Sequence, residues 1–168
     1  MRAAGFEYWT ILKPVFLMDN FAEPKATRMF PHLRSGTILT ALTPDCRPQM
    51  IAAEHVGAYA LASLQLPERF NRRDVDLAAE AWTMTEVAAL ISAALQMQVV
   101  AKHVSPKEAR AAGLFPGWVR TQEWTNEVGY RADVAAWSAY GVPLTSFAGW
   151  LGRHAGRIVV DSDAAGTP

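Results

Sequence analysis

The chain has 168 residues, 51% of them apolar, and a formal net charge of zero. That size suits one hydrophobic core, and the balanced charge excludes a long-range field for nucleic acid or an anionic membrane. Cys46 is the only cysteine, so no intrachain disulfide can form, and we expect a reducing, cytoplasmic setting.

The first predicted element is a strand close to the amino terminus. Residues Tyr8 to Pro14 are mostly apolar, β-branched or aromatic, which is typical of an interior strand. Pro14 has no N–H group for the ladder, so pairing should end there. An interior strand needs a neighbour on each side, and the residues before Tyr8 are too few to form one.

Two short apolar runs follow, and the turn between them predicts a β-hairpin over residues 36–52. The predicted strands are Thr37 to Leu42 and Gln49 to Ala52, and Thr43 to Pro48 has the composition of a turn. The next segment, Ala53 to Gln65, predicts a helix because apolar residues recur on one face.

The middle of the chain alternates predicted strands with capped helices. Asp74 to Ala78 and Val99 to Val104 alternate polar and apolar residues, as half-buried strands do. The capping-box spacing, Ser or Thr followed three residues later by Glu, occurs at Thr83 and again at Ser105. The first box precedes a clear amphipathic helix, and Gly113 should end the helix after the second.

From Phe115 onward the chain is rich in aromatic residues at helical spacing. We expect three of them in the core: Trp137, Phe147 and Trp150. Trp118 and Trp124 are candidates to face an apolar cavity, the alternative being ordinary helix packing. Thr145 should cap the last helix, and residues 156–168 are predicted to be a polar carboxyl-terminal tail.

The element order predicts an α/β fold without room for a complete doubly wound sheet. Neither Gly-x-Gly-x-x-Gly nor Gly-x-x-Gly-x-x-Gly occurs, so no strand-to-helix turn offers a stack of backbone donors to a pyrophosphate. Tyr8 and Lys13 lie on opposite faces of a strand and cannot form a Tyr-x-x-x-Lys acid pair. The histidines lack metal-ligand spacing, so no metal is predicted. For the adjacent pair Glu54-His55, a role at the start of a helix is favoured, and catalytic residues stay unknown.

An ordered series of segments resembles the NmrA-like family, atypical relatives of the short-chain dehydrogenases and reductases. Gly5 to Pro14 is similar to the family's T-I-L-R-P strand, with Lys13 at the arginine position. Met50 to Gly57 is similar to M-I-A-V-x-D-I-G, with His55 at the aspartate position. The other matching segments are Phe16 to Phe21, Leu77-Ala78 with Thr83 to Ala94, and Glu123 to Asp133.

The resemblance implies a Rossmann-like domain that binds NADP or NAD, with a smaller helical substrate lobe. Because the T-I-L-R-P strand lies past the middle of the family's domain, residues 1–155 should hold the last parallel strands and that lobe, without the amino-terminal βαβ phosphate-binding half. The implied parts are a strand and pocket rim (6–21), the hairpin (36–52) and the substrate lobe (53–155). The implied cofactor contacts are Pro14, Val15 and Phe16, and the implied substrate contacts are Met18, Asn20 and Phe21.

The family includes quinone and azo-dye reductases and also non-catalytic redox-sensing regulators. Several functions therefore stay open: NAD(P)H-dependent reduction of a small quinone-like molecule, NAD(P) redox sensing, a non-catalytic binding module, or an inactive remnant. A separately encoded amino-terminal half or a second copy of the chain could complete the fold through the unpaired sheet edge.

Overall fold

Short strands and longer helices alternate along the chain, and the computed structural model describes residues 4–135 and 140–161. The strands are β1 (Thr10–Pro14), β2 (Phe16–Leu17), β3 (Thr37–Thr40), β4 (Gln49–Ile51), β5 (Arg73–Leu77), β6 (Glu80–Ala81) and β7 (Val100–His103). The helices are α1 (Ala26–Met29), α2 (Ala53–Gln65), α3 (Pro67–Phe70), α4 (Met84–Leu95), α5 (Pro106–Ala111), α6 (Pro116–Glu127) and α7 (Phe147–His154).

Parallel pairing between strands distant in sequence organises the sheets. β1 pairs with β5, and β3 pairs with β7, both in parallel. β2 pairs in parallel with β4, which pairs on its other side with the antiparallel β6. Parallel strands need long crossover connections, commonly helical, and α2 and α4 lie within such crossovers. The predicted α/β class is therefore confirmed.

The predicted hairpin over residues 36–52 is wrong. β3 and β4 have no mutual pairing and belong to different sheets. The backbone N–H groups of Ala41 and Leu42, just past β3, both donate to the side-chain oxygen of Gln122. The side chain of Gln122 on α6 thus accepts the hydrogen bonds that a hairpin partner strand would have accepted. The segment after β3 then leads to β4 in a different sheet.

Both predicted capping boxes are present. The Thr83 hydroxyl accepts from the N–H of Glu86, whose carboxylate accepts from the N–H of Thr83, and Ser105 and Glu108 repeat the arrangement. The cap of the last helix was misplaced by one residue. The Ser146 hydroxyl accepts from the N–H of Gly149. The N–H of Thr145 instead donates to Nε2 of His55.

The predicted tail over residues 156–168 begins later than expected. Ile158 is buried, the N–H of Asp161 donates to the carbonyl of Arg34 at 2.8 Å, and the carbonyl of Arg157 accepts from the N–H of Glu23. Residues up to 161 therefore pack on the segment that contains α1. The remaining residues, 162–168, lie outside the described part of the chain.

Large aromatic side chains fill the centre of the fold. Phe147 and Trp150 are fully buried and stack on each other with ring centroids 5.8 Å apart, which confirms two of the predicted core residues. Trp137 lies outside the described residues. Across residues 4–135 and 140–161, no helix has both the length and the apolar character needed to cross a bilayer.

Candidate functional site

Four aromatic rings meet where β1 passes into β2. Phe16 stacks on Trp118 with centroids 5.1 Å apart, and Phe21 stacks on Phe30 at 4.7 Å. Edge-to-face contacts join the two pairs, between Phe16 and Phe21 and between Phe30 and Trp118. We call Phe16, Phe21, Phe30 and Trp118 the aromatic cluster. All four are buried, so the cluster is a packed wall.

Pro14 ends β1, Val15 follows it and Phe16 begins β2. The three residues therefore lie at the carboxyl end of β1, the edge at which ligands bind in open α/β sheets. Pro14 is exposed and Val15 is buried. The N–H of Val15 donates to the carbonyl of Leu77 at 3.1 Å, extending the β1–β5 pairing by one residue. One exposed residue and two buried apolar ones thus lie at this edge, and their contact with a cofactor stays a prediction.

The residues expected on the substrate side lie in a short 3-10 helix, Met18–Phe21. Met18 and Phe21 are fully buried, whereas Asn20 is half-buried. Between them, Asp19 accepts a hydrogen bond from the N–H of Ala53 at 2.8 Å. That bond satisfies a donor at the start of α2, where the residue at the cap position, Ala52, has no side-chain acceptor.

The two tryptophans proposed to face a cavity lie in different environments. Trp118 is 5% exposed and joins the aromatic cluster, whereas Trp124 is 41% exposed. Trp124 instead contacts Tyr130 edge-to-face at 5.2 Å. The structure therefore brings Trp118 together with Phe16 and Phe21, and it leaves Trp124 on the outer side of α6.

Gln122 is a residue of the site that the sequence analysis missed. Its Oε1 accepts from the Thr40 hydroxyl at 2.8 Å and from the N–H groups of Ala41 at 2.6 Å and Leu42 at 3.2 Å. Gln122 is fully buried on the same helix face as Trp118. The sequence could have indicated this role, because Gln122 lies within the apolar stripe of a helix. A buried polar side chain almost always has a hydrogen-bond partner.

His55 is buried and connects α2 to the start of α7. Its Nε2 accepts from the N–H of Thr145 at 3.0 Å, so the ring proton of the neutral form lies on Nδ1. Burial lowers the pKa of His55, an effect reinforced by Arg153 and opposed by the carboxylates of Glu54 and Asp19. Glu54 pairs with Arg153 on the surface, so these groups hold α2 and α7 together.

The remaining reactive side chains are engaged in ordinary contacts. The Tyr8 hydroxyl donates to Glu68 at 2.6 Å and Lys13 pairs with Asp76 at 2.8 Å, so the two do not act together. Burial raises the pKa of the half-buried Cys46 thiol, which makes it less reactive. Within the described ranges no group of three or more His, Cys, Asp or Glu is placed to hold a metal ion.

Comparisons with known proteins give one family match and several structures of the same fold. A family model described as the NmrA-like family matches residues 1–135. A search of curated protein sequences found no match. Among solved structures, triphenylmethane reductase of Citrobacter sp. with NADP(H) superimposes with a TM-score of 0.68 at 17% identity, over 88% of this chain and 53% of that one.

Two further structures give the same picture. The NADPH-dependent quinone oxidoreductase of Escherichia coli, solved with NADPH, has a TM-score of 0.65 at 20% identity, over 87% of this chain and 53% of that one. The negative transcriptional regulator NmrA with NAD has a TM-score of 0.62 at 18% identity, over 90% and 53%. The chain thus spans about half the length of these structures, which share its fold.

Replacing Gln122 by Ala should destabilise the fold. The substitution leaves a cavity and removes the acceptor for three buried donors, so we expect a loss of about 2–4 kcal/mol in the free energy of unfolding. Urea unfolding followed by circular dichroism measures it. Gln65→Ala, at the exposed end of α2, is the matched control and should change stability by no more than about 0.5 kcal/mol.

Stability should fall on acidification because of His55. The unfolded chain binds a proton at this imidazole near the usual pKa of about 6.5, whereas the folded chain, with its lowered pKa, stays neutral. Below that pH the unfolded state holds more protons, so the free energy of unfolding decreases as pH falls. Urea titrations between about pH 7.5 and 5 should show a shallower decrease for His55→Gln. Equal pH dependence in both proteins would contradict this account.

Proposed function

We propose, because the chain belongs to the NmrA-like family, that it forms the substrate-side part of an NAD(P)-binding protein. Its activity would be NAD(P)H-dependent reduction of a small, quinone-like molecule. The observation that carries the proposal is the family match over residues 1–135 together with the apolar rim at the carboxyl end of β1. Structural neighbours that hold NADP(H) or NADPH are named as reductases or oxidoreductases, which supports reduction.

The rim has the character that a nicotinamide ring requires. Pro14 is exposed at the sheet edge, and the buried apolar side chains of Val15 and Phe16 lie behind it. Bound there, a reduced nicotinamide would supply a hydride. The substrate side is proposed to comprise Met18, Asn20, Phe21, Trp118 and Trp124. Asn20 contributes a polar side chain and Trp124 an exposed ring, while the others close the pocket from behind.

The residues that would bind the phosphates of the cofactor are not in this sequence. Pyrophosphate binding needs a glycine-rich turn at a helix amino terminus, and no such motif occurs in the 168 residues. The chain therefore fits the nicotinamide end of a dinucleotide and not its phosphate end. We propose that the remaining half of the fold, in the same polypeptide or a separate one, provides that end.

One surface has the properties expected of the junction with that half. Among the described residues, β1 pairs with β5 alone, so its other edge is open. Large apolar side chains are exposed on the segment before β1 and on and just beyond α2, the helix that packs on β1. We call these residues the apolar edge: Phe6, Tyr8, Leu61, Leu64 and Leu66. An open strand beside exposed apolar side chains is a docking surface.

A second candidate function is that of a non-catalytic sensor or binding module, assembled through the same apolar edge. The negative transcriptional regulator NmrA superimposes on this chain and was solved with NAD, so the fold by itself does not require catalysis. In that case the completed protein would bind NAD(P) without turning it over. Steady-state oxidation of NADPH with quinone present separates the two functions.

The chain alone should bind NADPH weakly. Without a phosphate-binding turn, most of the charge of the dinucleotide is unrecognised, and we expect a Kd above about 1 mM by calorimetric titration. Adding a polypeptide that supplies the glycine-rich half should bring the Kd into the micromolar range. Micromolar binding by the chain alone would show that our assignment of the phosphate site is wrong.

The apolar edge should be needed for assembly with the remaining half. The test is co-expression with the polypeptide encoded by the DNA next to this reading frame, if it contains Gly-x-x-Gly-x-x-Gly, followed by sedimentation analysis. Leu61→Glu with Leu64→Glu should abolish a one-to-one complex, because buried carboxylates oppose docking. Val128→Glu, at another exposed apolar position, is the control. A homodimer lost only in the double variant would favour a second copy as the partner.

A further inference from the structure

Residues 140–146, which we call the strap, connect a pair of stacked rings to the start of α7. At one end of the strap, Tyr140 stacks on Phe70 with ring centroids 4.7 Å apart. At the other end, the N–H of Thr145 donates to Nε2 of His55 at 3.0 Å, and α7 begins two residues later. The strap is therefore held by an aromatic contact at one end and by an imidazole nitrogen at the other.

The strap contains a residue about which it can turn. Gly141 is exposed and has a left-handed φ of 71°, and a Cβ at this position would meet no other atom within 4 Å. Glycine changes its backbone conformation at little steric cost. Val142 and Leu144, which follow, are only half-buried against the core. Residues 142–146 can therefore swing about Gly141 while Tyr140 stays stacked.

The contact between His55 and the strap requires a neutral imidazole. In the neutral form, Nε2 offers a lone pair to the N–H of Thr145, and the ring proton lies on Nδ1. Protonation places a hydrogen on Nε2 as well, so two donors then face each other and the bond is lost. The hydroxyl oxygen of Thr145, 3.2 Å from Nε2, can accept from the protonated ring, but it leaves the N–H of the same residue without an acceptor.

The surroundings of His55 disfavour the protonated ring while the strap is closed. The side chain is buried, which lowers its pKa, and Arg153 on α7 lowers it further. The carboxylates that oppose this effect are Glu54 on α2 and Asp19 in the 3-10 helix. Glu54 is paired with Arg153, and Asp19 accepts from the N–H of Ala53. Nδ1 of His55 has no hydrogen-bond partner among the described residues, so opening the strap would let water hydrate both ring nitrogens.

We propose that His55 is a pH-sensitive latch: its protonation releases Thr145, and residues 142–146 swing open about Gly141 while the rest of the fold stays intact. Opening uncovers the imidazole and the start of α7, so the surface between α2 and α7 differs between neutral and mildly acidic solution. The latch requires no nucleotide and is independent of the proposed function.

Proton linkage gives the size of the effect. An imidazole that is exposed to water has a pKa of about 6.5, whereas the ring under the closed strap has a lower pKa. Below that pH the open state binds more protons than the closed state, so opening becomes easier as pH falls. Between about pH 7.5 and about pH 5.5 the equilibrium constant for opening should rise about tenfold.

Native-state hydrogen exchange of the chain at these two pH values tests the latch. The protection factor of the Thr145 amide should fall about tenfold and should not depend on low concentrations of urea, as expected for a local opening. His55→Gln provides an amide oxygen that accepts from the N–H of Thr145 and does not titrate, so protection should stay constant. His32→Gln, at a histidine whose ring contacts the carbonyl of Ala112 instead, is the matched control and should retain the tenfold fall.

A Thr145 protection factor that does not change with pH overturns the proposal, as does an equal fall in His55→Gln. So does a Thr145 amide with the same urea dependence as the amide of Trp150 in α7, because exchange would then require global unfolding. The ¹⁵N spectrum of the unaltered chain gives a check that needs no variant. A proton on Nε2 of His55 at about pH 7.5 also overturns the proposal, since that nitrogen could not accept from Thr145.

Discussion

A single amide oxygen, Oε1 of Gln122, determines how the central strands connect. It accepts hydrogen bonds from the hydroxyl of Thr40 and the backbone N–H groups of Ala41 and Leu42. These donors lie where β3 ends, and in a buried position each needs a partner. Because α6 supplies that partner, the chain can leave β3 without forming a hairpin. The contact is therefore compatible with the observed pairing of β3 with β7 and of β4 with β2.

The same helix face unites folding and the proposed chemistry. Trp118, four residues before Gln122, stacks on Phe16 at the start of β2. The aromatic cluster therefore anchors α6 to the sheet and also forms the back wall of the proposed pocket. Such a wall is rigid, because close-packed rings have few alternative positions.

Local features were predicted well from the sequence, and non-local ones were not. The two capping boxes at Thr83 and Ser105 were found because all of their atoms lie within four residues. The pairing of β3 was mispredicted because its partner, β7, lies some sixty residues further along the chain. The segment around Ile158 looked like part of a tail because its hydrogen-bond partners, Glu23 and Arg34, come from the beginning of the chain. Gln122 was missed for the same reason.

The sequence by itself determined the family, the α/β class and the two capping boxes at Thr83 and Ser105. These follow from short motifs and from the periodicity of apolar residues. Only the tertiary structure decided that Trp118 belongs to the aromatic cluster and Trp124 does not, since the two lie on the same helix at positions that composition cannot separate. The reason is physical: burial and hydrogen-bond satisfaction depend on residues that meet only after the chain has folded.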